Sequence, residues 1–139
     1  LASHIADDLA YARRLVEATL ERLGPAAQGL HILDISTTEP VTPPRPGLQT
    51  GQHLRITVGP GPDLAGPDTI GAHFSMTVPR DQATLATVDQ VQEHVIETFY
   101  VAVPPCPDHQ HPLRTAVLDG VPSWVCPVDV AHHAEPILT

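Results

Sequence analysis

The chain is short of the residues that most function classes need. It has no lysine, and its basic charge is seven arginines against sixteen acidic residues, a net charge of -9. That balance disfavours nucleic acid and anionic membrane as partners, because phosphate backbones and headgroups repel it. Two cysteines are too few for a disulfide scaffold. No apolar run reaches the ~18 residues of a membrane span. No basic start followed by an apolar stretch and a small-residue cleavage site marks an export signal, so the expected location is cytoplasmic. No dinucleotide fingerprint, nucleophile elbow or Ser-His-Asp order is found. The missing lysine, with abundant alanine and proline, reads as coding bias rather than function.

What remains is enough for one core. Of 139 residues, 42% are hydrophobic and 17% charged, which suits a single globular domain over residues 1–139. Sixteen prolines and nine histidines stand out.

In residues 3–23, Ile5, Leu9, Ala12, Val16, Leu20 and Leu23 recur at steps of three and four, one stripe of an amphipathic helix. Ser3 is its expected cap and Gly24-Pro25 its stop. Residues 30–35, 52–58 and 72–78 read as strands, the last two alternating strictly as half-buried antiparallel strands do. The proline-dominated stretch 39–47 and the Gly/Pro-rich stretch 59–71 read as loops. The second loop lacks the Gly-Lys-Ser/Thr ending of a phosphate cradle. A second helix is expected from about Asp81 or Thr87 to about Val101. Its stripe is Leu85, Val88, Val91, Val95 and Phe99, and Thr87 with Gln90 matches a capping box. The fold class is therefore α+β: an N-terminal helix, a three-stranded antiparallel sheet, a second helix and a C-terminal Cys/His β-hairpin.

The chemistry concentrates in residues 104–133. Cys106 and His109 stand in a C-x2-H arrangement with proline directly after the cysteine, so one tight turn can aim both side chains at one ion. Residues 114–118 and 121–125 read as strands joined across Asp119-Gly120, a hairpin signal. The hairpin returns the chain to Cys126-Pro127, a second Cys-Pro turn beside the first, in the organisation of a zinc ribbon. Cys106, His109 and Cys126 are three ligands for a structural zinc ion. The fourth is open among His111, His132, His133, Asp108, Asp129 and water. The same cysteines could instead form a disulfide or stay as unlinked thiols.

The segment CPDHQHPL followed by a DG turn and WVCP resembles a group of small uncharacterised actinobacterial proteins with a CPxHxHP…WVCP pattern. The resemblance spans residues 91–127 and marks Cys106, His109, His111, Trp124 and Cys126. It implies no activity, but it favours His111 over His132 or His133 as the fourth ligand.

The other histidines are weaker candidates. His31, His53 and His73 fall on or beside strands, and an antiparallel pairing is expected to hold His53 and His73 several residues apart. His94, with Gln92, Glu93 and Glu97, is expected on the wet face of the second helix. Trp124 is expected to pack over that helix.

Three function classes follow. The first is a non-enzymatic interaction or adaptor-type protein with a structural zinc, its partner a protein or a second copy of the chain. The second is a metal-dependent hydrolase with an open Cys/His site. The third is a small-ligand binder with the loop 59–71 over a pocket at the sheet edge.

Overall fold

In a computed structural model the backbone is described for residues 2–38 and 52–139, with side chains from Ile5 onward. The Ser3 side chain, the expected cap, and the proline-rich loop 39–47 lie outside the described residues. The chain is an α+β protein. Helix α1 (Ala2–Leu23) runs into a short 3-10 turn (Gly24–Ala27), followed by strands β1 (His31–Thr38), β2 (His53–Gly59) and β3 (Ile70–Ser75). Helix α2 (Arg80–Phe99) precedes β4 (Arg114–Leu118), β5 (Val121–Val125) and β6 (Ala134–Pro136). Among the described residues no helix is long and apolar enough to cross a membrane.

Helix α1 follows its pattern. Ala12, Val16, Leu20 and Leu23 are buried, and Leu15 and Thr19 widen the stripe. The buried Thr19 hydroxyl donates to the Leu15 carbonyl at 2.8 Å, which satisfies it within the helix. Gly24 then takes φ 79°, the left-handed conformation that ends helices without a Cβ penalty.

The strands form two sheets, β1-β2-β3 and β4-β5-β6, both antiparallel. The C-terminal hairpin thus neither extends the first sheet nor stands alone. It gains a third strand, β6, which the sequence reading missed. In the central β2, Leu54, Ile56 and Val58 are buried as the alternation demands, but the strand is not half-buried as expected: His53 and Thr57 on its other face are buried too, and only Arg55 is exposed. β3 stops at Ser75, short of the expected end, leaving Val78 exposed.

Helix α2 contacts β3 of the first sheet, β4 and β5 of the second, and α1. Val88, Val91 and Val95 are fully buried along it. It begins after Pro79, at the earlier of the two expected starts, so Thr87 and Gln90 are interior residues rather than a capping box. Their side chains have a tertiary role instead. The Gln90 amide accepts the His73 N–H at 2.9 Å and donates to the His73 carbonyl at 3.1 Å. The Thr87 hydroxyl donates to the same carbonyl at 2.9 Å. The exposed edge of β3 is thereby occupied by helix side chains, one of the ways an unpaired strand edge is blunted.

The end of α2 departs too. The helix closes on Tyr100, held at φ 55°, and Phe99 is left exposed rather than completing the core stripe. Trp124 is buried in the core. Polar ties cross the layers: Tyr11 and Thr84 share a hydrogen bond of 2.7 Å between the helices, and Arg22 meets Glu135 of β6 at 2.6 Å.

Candidate metal centre

The site begins with the segment between α2 and β4. An N–H from Leu113 donates to the Pro104 carbonyl at 2.8 Å, and one from Cys106 donates to the His111 carbonyl at 3.2 Å. Pro105 and Pro112 bridge between these bonds, so residues 106–111 form a loop clasped at its base. Within it the His109 N–H donates back to the Cys106 carbonyl at 3.2 Å. Pro107 and Asp108 are the two central residues of that turn, and Asp108 stands at φ 66°. Proline followed by a left-handed residue is the type II combination. This turn brings Cys106 and His109 onto one side.

The hairpin supplies the second cysteine. Asp119 and Gly120 have φ 49° and 79°, both positive, as a type I′ turn requires. The ladder pairs Leu118 with Val121 and Arg114 with Val125, so its next step sets Cys126 level with Leu113, beside the clasped loop. The Cys126 N–H donates to the His133 carbonyl at 2.9 Å, which folds residues 127–132 over the site.

The structure brings together Cys106, His109, His111 and Cys126: one ligand atom from each lies within 4.8 Å of all the others. Both cysteines are free thiols and almost fully buried, while His109 is exposed and His111 half-buried. His109 Nδ1 lies 3.4 Å from Cys106 Sγ and 3.7 Å from Cys126 Sγ. Metal–sulfur bonds of ~2.3 Å and metal–nitrogen bonds of ~2.0–2.1 Å at a tetrahedral angle place S and N about 3.6 Å apart. Both ring nitrogens of His111 are buried without a hydrogen-bond partner among the described residues. An imidazole has at least one N–H, and leaving it unpaired in the interior costs free energy unless something binds there. The donor set, its spacing and the orphaned imidazole together fit a tetrahedral metal ion.

The thiols are electrostatically unequal. Burial pushes the Cys106 thiol up, and the shared hydrogen bond and the charge of Cys126 push it further. Burial also opposes the Cys126 thiolate, but backbone N–H groups of Asp129 and Val128, with the Cys106 thiol, outweigh it and hold Cys126 below the ordinary thiol range. The Asp129 N–H lies 3.4 Å from Cys126 Sγ. Cys126 is thus the thiol of the two that gives up its proton more readily, and the thiolate is the form that ligates metal.

The remaining candidates take other places. His132 Nε2 lies 2.6 Å from the Pro107 carbonyl, and its ring lies against His109 with centroids 4.3 Å apart. His133 pairs with Glu135 at 2.8 Å. Neither belongs to the four-residue cluster, nor do Asp108 and Asp129.

Among the strand histidines, His31 is exposed at the far end of the ladder. The expected separation of His53 and His73 is wrong. Pairing of Arg55 with His73 sets them diagonally, with ring centroids 4.7 Å apart. Burial, then the charges of His53 and Arg55, hold His73 below the ordinary imidazole range. His94 sits one turn from Thr98, with Nε2 and Oγ1 3.3 Å apart.

Sequence reasoning also missed Gln92. It is buried, and its amide donates to the carbonyls of Val103 at 3.1 Å and Leu113 at 2.7 Å. It therefore ties α2 to both strands of the clasp that carries residues 106–111. Helical periodicity gave no signal for this, since the bond partners lie in irregular backbone. In comparisons with known proteins, no family model matches the chain, and no curated protein or solved structure matches it.

Proposed function

We propose that the chain is a non-enzymatic interaction protein of adaptor type, whose C-terminal half is held in shape by one structural zinc ion. The observation that carries this reading is the donor set: two cysteines and two histidines, all from this chain, with one ligand atom of each within 4.8 Å of all the others. A bound zinc would supply folding energy there, joining the clasped loop to the hairpin's end. Cys106 and Cys126 would bind as thiolates, with His109 and His111 as neutral imidazoles. The Asp129 N–H would support the Cys126 sulfur, and His132 would lie over His109. Four protein ligands leave no open position for an activated water, so a structural role is favoured over hydrolysis. Zinc suits this mixed sulfur and nitrogen set better than the oxygen-seeking divalent ions do. A cytoplasmic setting belongs to the same reading, because thiolate ligands persist where thiols stay reduced.

The test is the metal content of protein purified without chelator, together with thermal unfolding before and after chelation. One zinc per chain, and a large loss of stability on its removal, are expected. Serine at Cys106 or Cys126 should reproduce that loss. A metal-free protein whose unfolding ignores chelator would overturn the reading.

A further inference from the structure

Beside the metal centre runs an open groove. One part, of about 630 Å³, is lined by Ile96, Val101, Ala102 and Pro112, with Glu97 and Tyr100 at its edge. A second part, of about 540 Å³, continues from Ile96, Glu97 and Pro112 toward Leu113 and His111. The floor is apolar, and one wall is the clasped loop that holds three of the four candidate ligands.

Three features of the groove call for the same kind of occupant. Tyr100 is 92% exposed at its mouth, and the neighbouring Phe99 is 41% exposed. Aromatic side chains standing free beside an apolar groove are the usual anchors of protein interfaces. Tyr100 is also held at φ 55° by its N–H bond to the Ile96 carbonyl, a conformation unfavourable for a bulky residue.

The rim, in turn, is negative. Glu93 and Glu97, one helical turn apart, line the groove and have no ion-pair or hydrogen-bond partner among the described residues. Glu97 lies in the last turn of α2, which has no basic residue, so its charge adds to the negative end of the helix dipole. Asp89 lines the same groove and accepts a hydrogen bond from Thr115 at 2.6 Å. Arg114 is the only basic lining residue there among the described ones, and it leaves the carboxylates in excess.

We propose that this groove, between the end of α2 and the Cys/His loop, docks a segment of a partner protein that carries an apolar side chain next to arginine or lysine. The apolar side chain covers Ile96 and Pro112. The cation meets Glu93 and Glu97 and stacks on the Tyr100 ring, where cation–π attraction adds to the ion pairs. The proposal rests on the interaction-protein reading, and names where such a partner sits and what its segment looks like.

The test selects a random linear-peptide display library on the zinc-loaded full chain. Selected peptides should pair an aromatic or aliphatic residue with arginine or lysine. For a selected peptide made synthetically, Tyr100→Gly should weaken binding about tenfold or more, with the fold kept because glycine suits that backbone. Glu93→Gln with Glu97→Gln should weaken it about three- to tenfold, and salt should weaken wild-type binding in the same direction. Failure to select peptides, selection of peptides without basic residues, or binding indifferent to both variants would overturn the proposal. Self-association that is lost in Tyr100→Gly would make the occupant a second copy of the chain, and would overturn it as well. Zinc content measured on the same preparation separates the two readings. A folded, zinc-free chain that still binds the peptide contradicts only the metal, and a zinc-loaded chain that selects nothing contradicts only the groove.

Discussion

Replacing Gln92 by alanine tests how the metal-site loop is anchored. The wild-type amide spans two carbonyls in separate strands of the clasp, Val103 at 3.1 Å and Leu113 at 2.7 Å. Alanine removes both donors and leaves both carbonyls in place. Leu113 is 1% exposed, so its carbonyl loses its partner out of reach of solvent, at a cost of about 1–2 kcal/mol. Val103 is only partly buried, and its carbonyl can recover some hydration, for about 0.5–1 kcal/mol. The total is about 1.5–3 kcal/mol, which lowers the unfolding midpoint by about 5–10 °C for a chain of this length. Thermal unfolding followed by circular dichroism measures it. Gln92→Glu should be worse than alanine at neutral pH, because a carboxylate would face two carbonyl oxygens. At acid pH, where the carboxyl regains an O–H donor, the two variants should converge. Glu93→Gln, one position along on the exposed face, is the control and should stay within about 0.5 kcal/mol of wild type. If Gln92→Ala behaves like that control, the account of the anchor is wrong.

Other outcomes follow from the same structure. Gly120→Ala should cost about 1 kcal/mol through backbone strain alone, since φ is 79° and nothing lies within 4 Å of the added Cβ; denaturant unfolding reads it, and no loss would contradict the type I′ turn. Glu135→Gln should cost about 0.5–1 kcal/mol at pH 7, because Arg22 and then His133 hold the Glu135 carboxyl below its usual range. A depressed carboxylate stabilises the fold above its unfolded pKa, near 4.5. The difference from wild type should therefore shrink as pH falls below that value through the lower folded one, and a difference that persists in strong acid would refute the ion-pair account. His132→Ala should retain one zinc per chain with about 10- to 100-fold weaker affinity, while His111→Ala should lose far more; chelator competition ranks them, and the reverse order would make His132 the ligand.

Much of this was legible where the signal is local. The three-and-four spacing of α1, the alternation of β2 and the Val88, Val91 and Val95 stripe each report a buried face directly. The C-x2-H spacing and the paired Cys-Pro turns identified the candidate ligands because one turn determines where those side chains point. Reading failed where a side chain's partner is distant in sequence. Thr87 and Gln90 look like a capping box, yet they bind the backbone of His73. Gln92 looks like a wet-face residue until the carbonyls of Val103 and Leu113 arrive beside it. The separation expected of His53 and His73 depended on a register that the sequence does not state. β6 has only three residues, one of them proline, and pairs with β5 because the loop after Cys126 returns there. His132 shares the composition of a ligand, but its geometry makes it a cover over His109.

Zinc K-edge X-ray absorption on protein purified without chelator tests the central claim most directly. The account predicts a first shell of two sulfur atoms at ~2.3 Å and two nitrogen atoms at ~2.0–2.1 Å, lost in the Cys126→Ser variant. A shell of nitrogen and oxygen alone, or protein that carries no zinc, would contradict it.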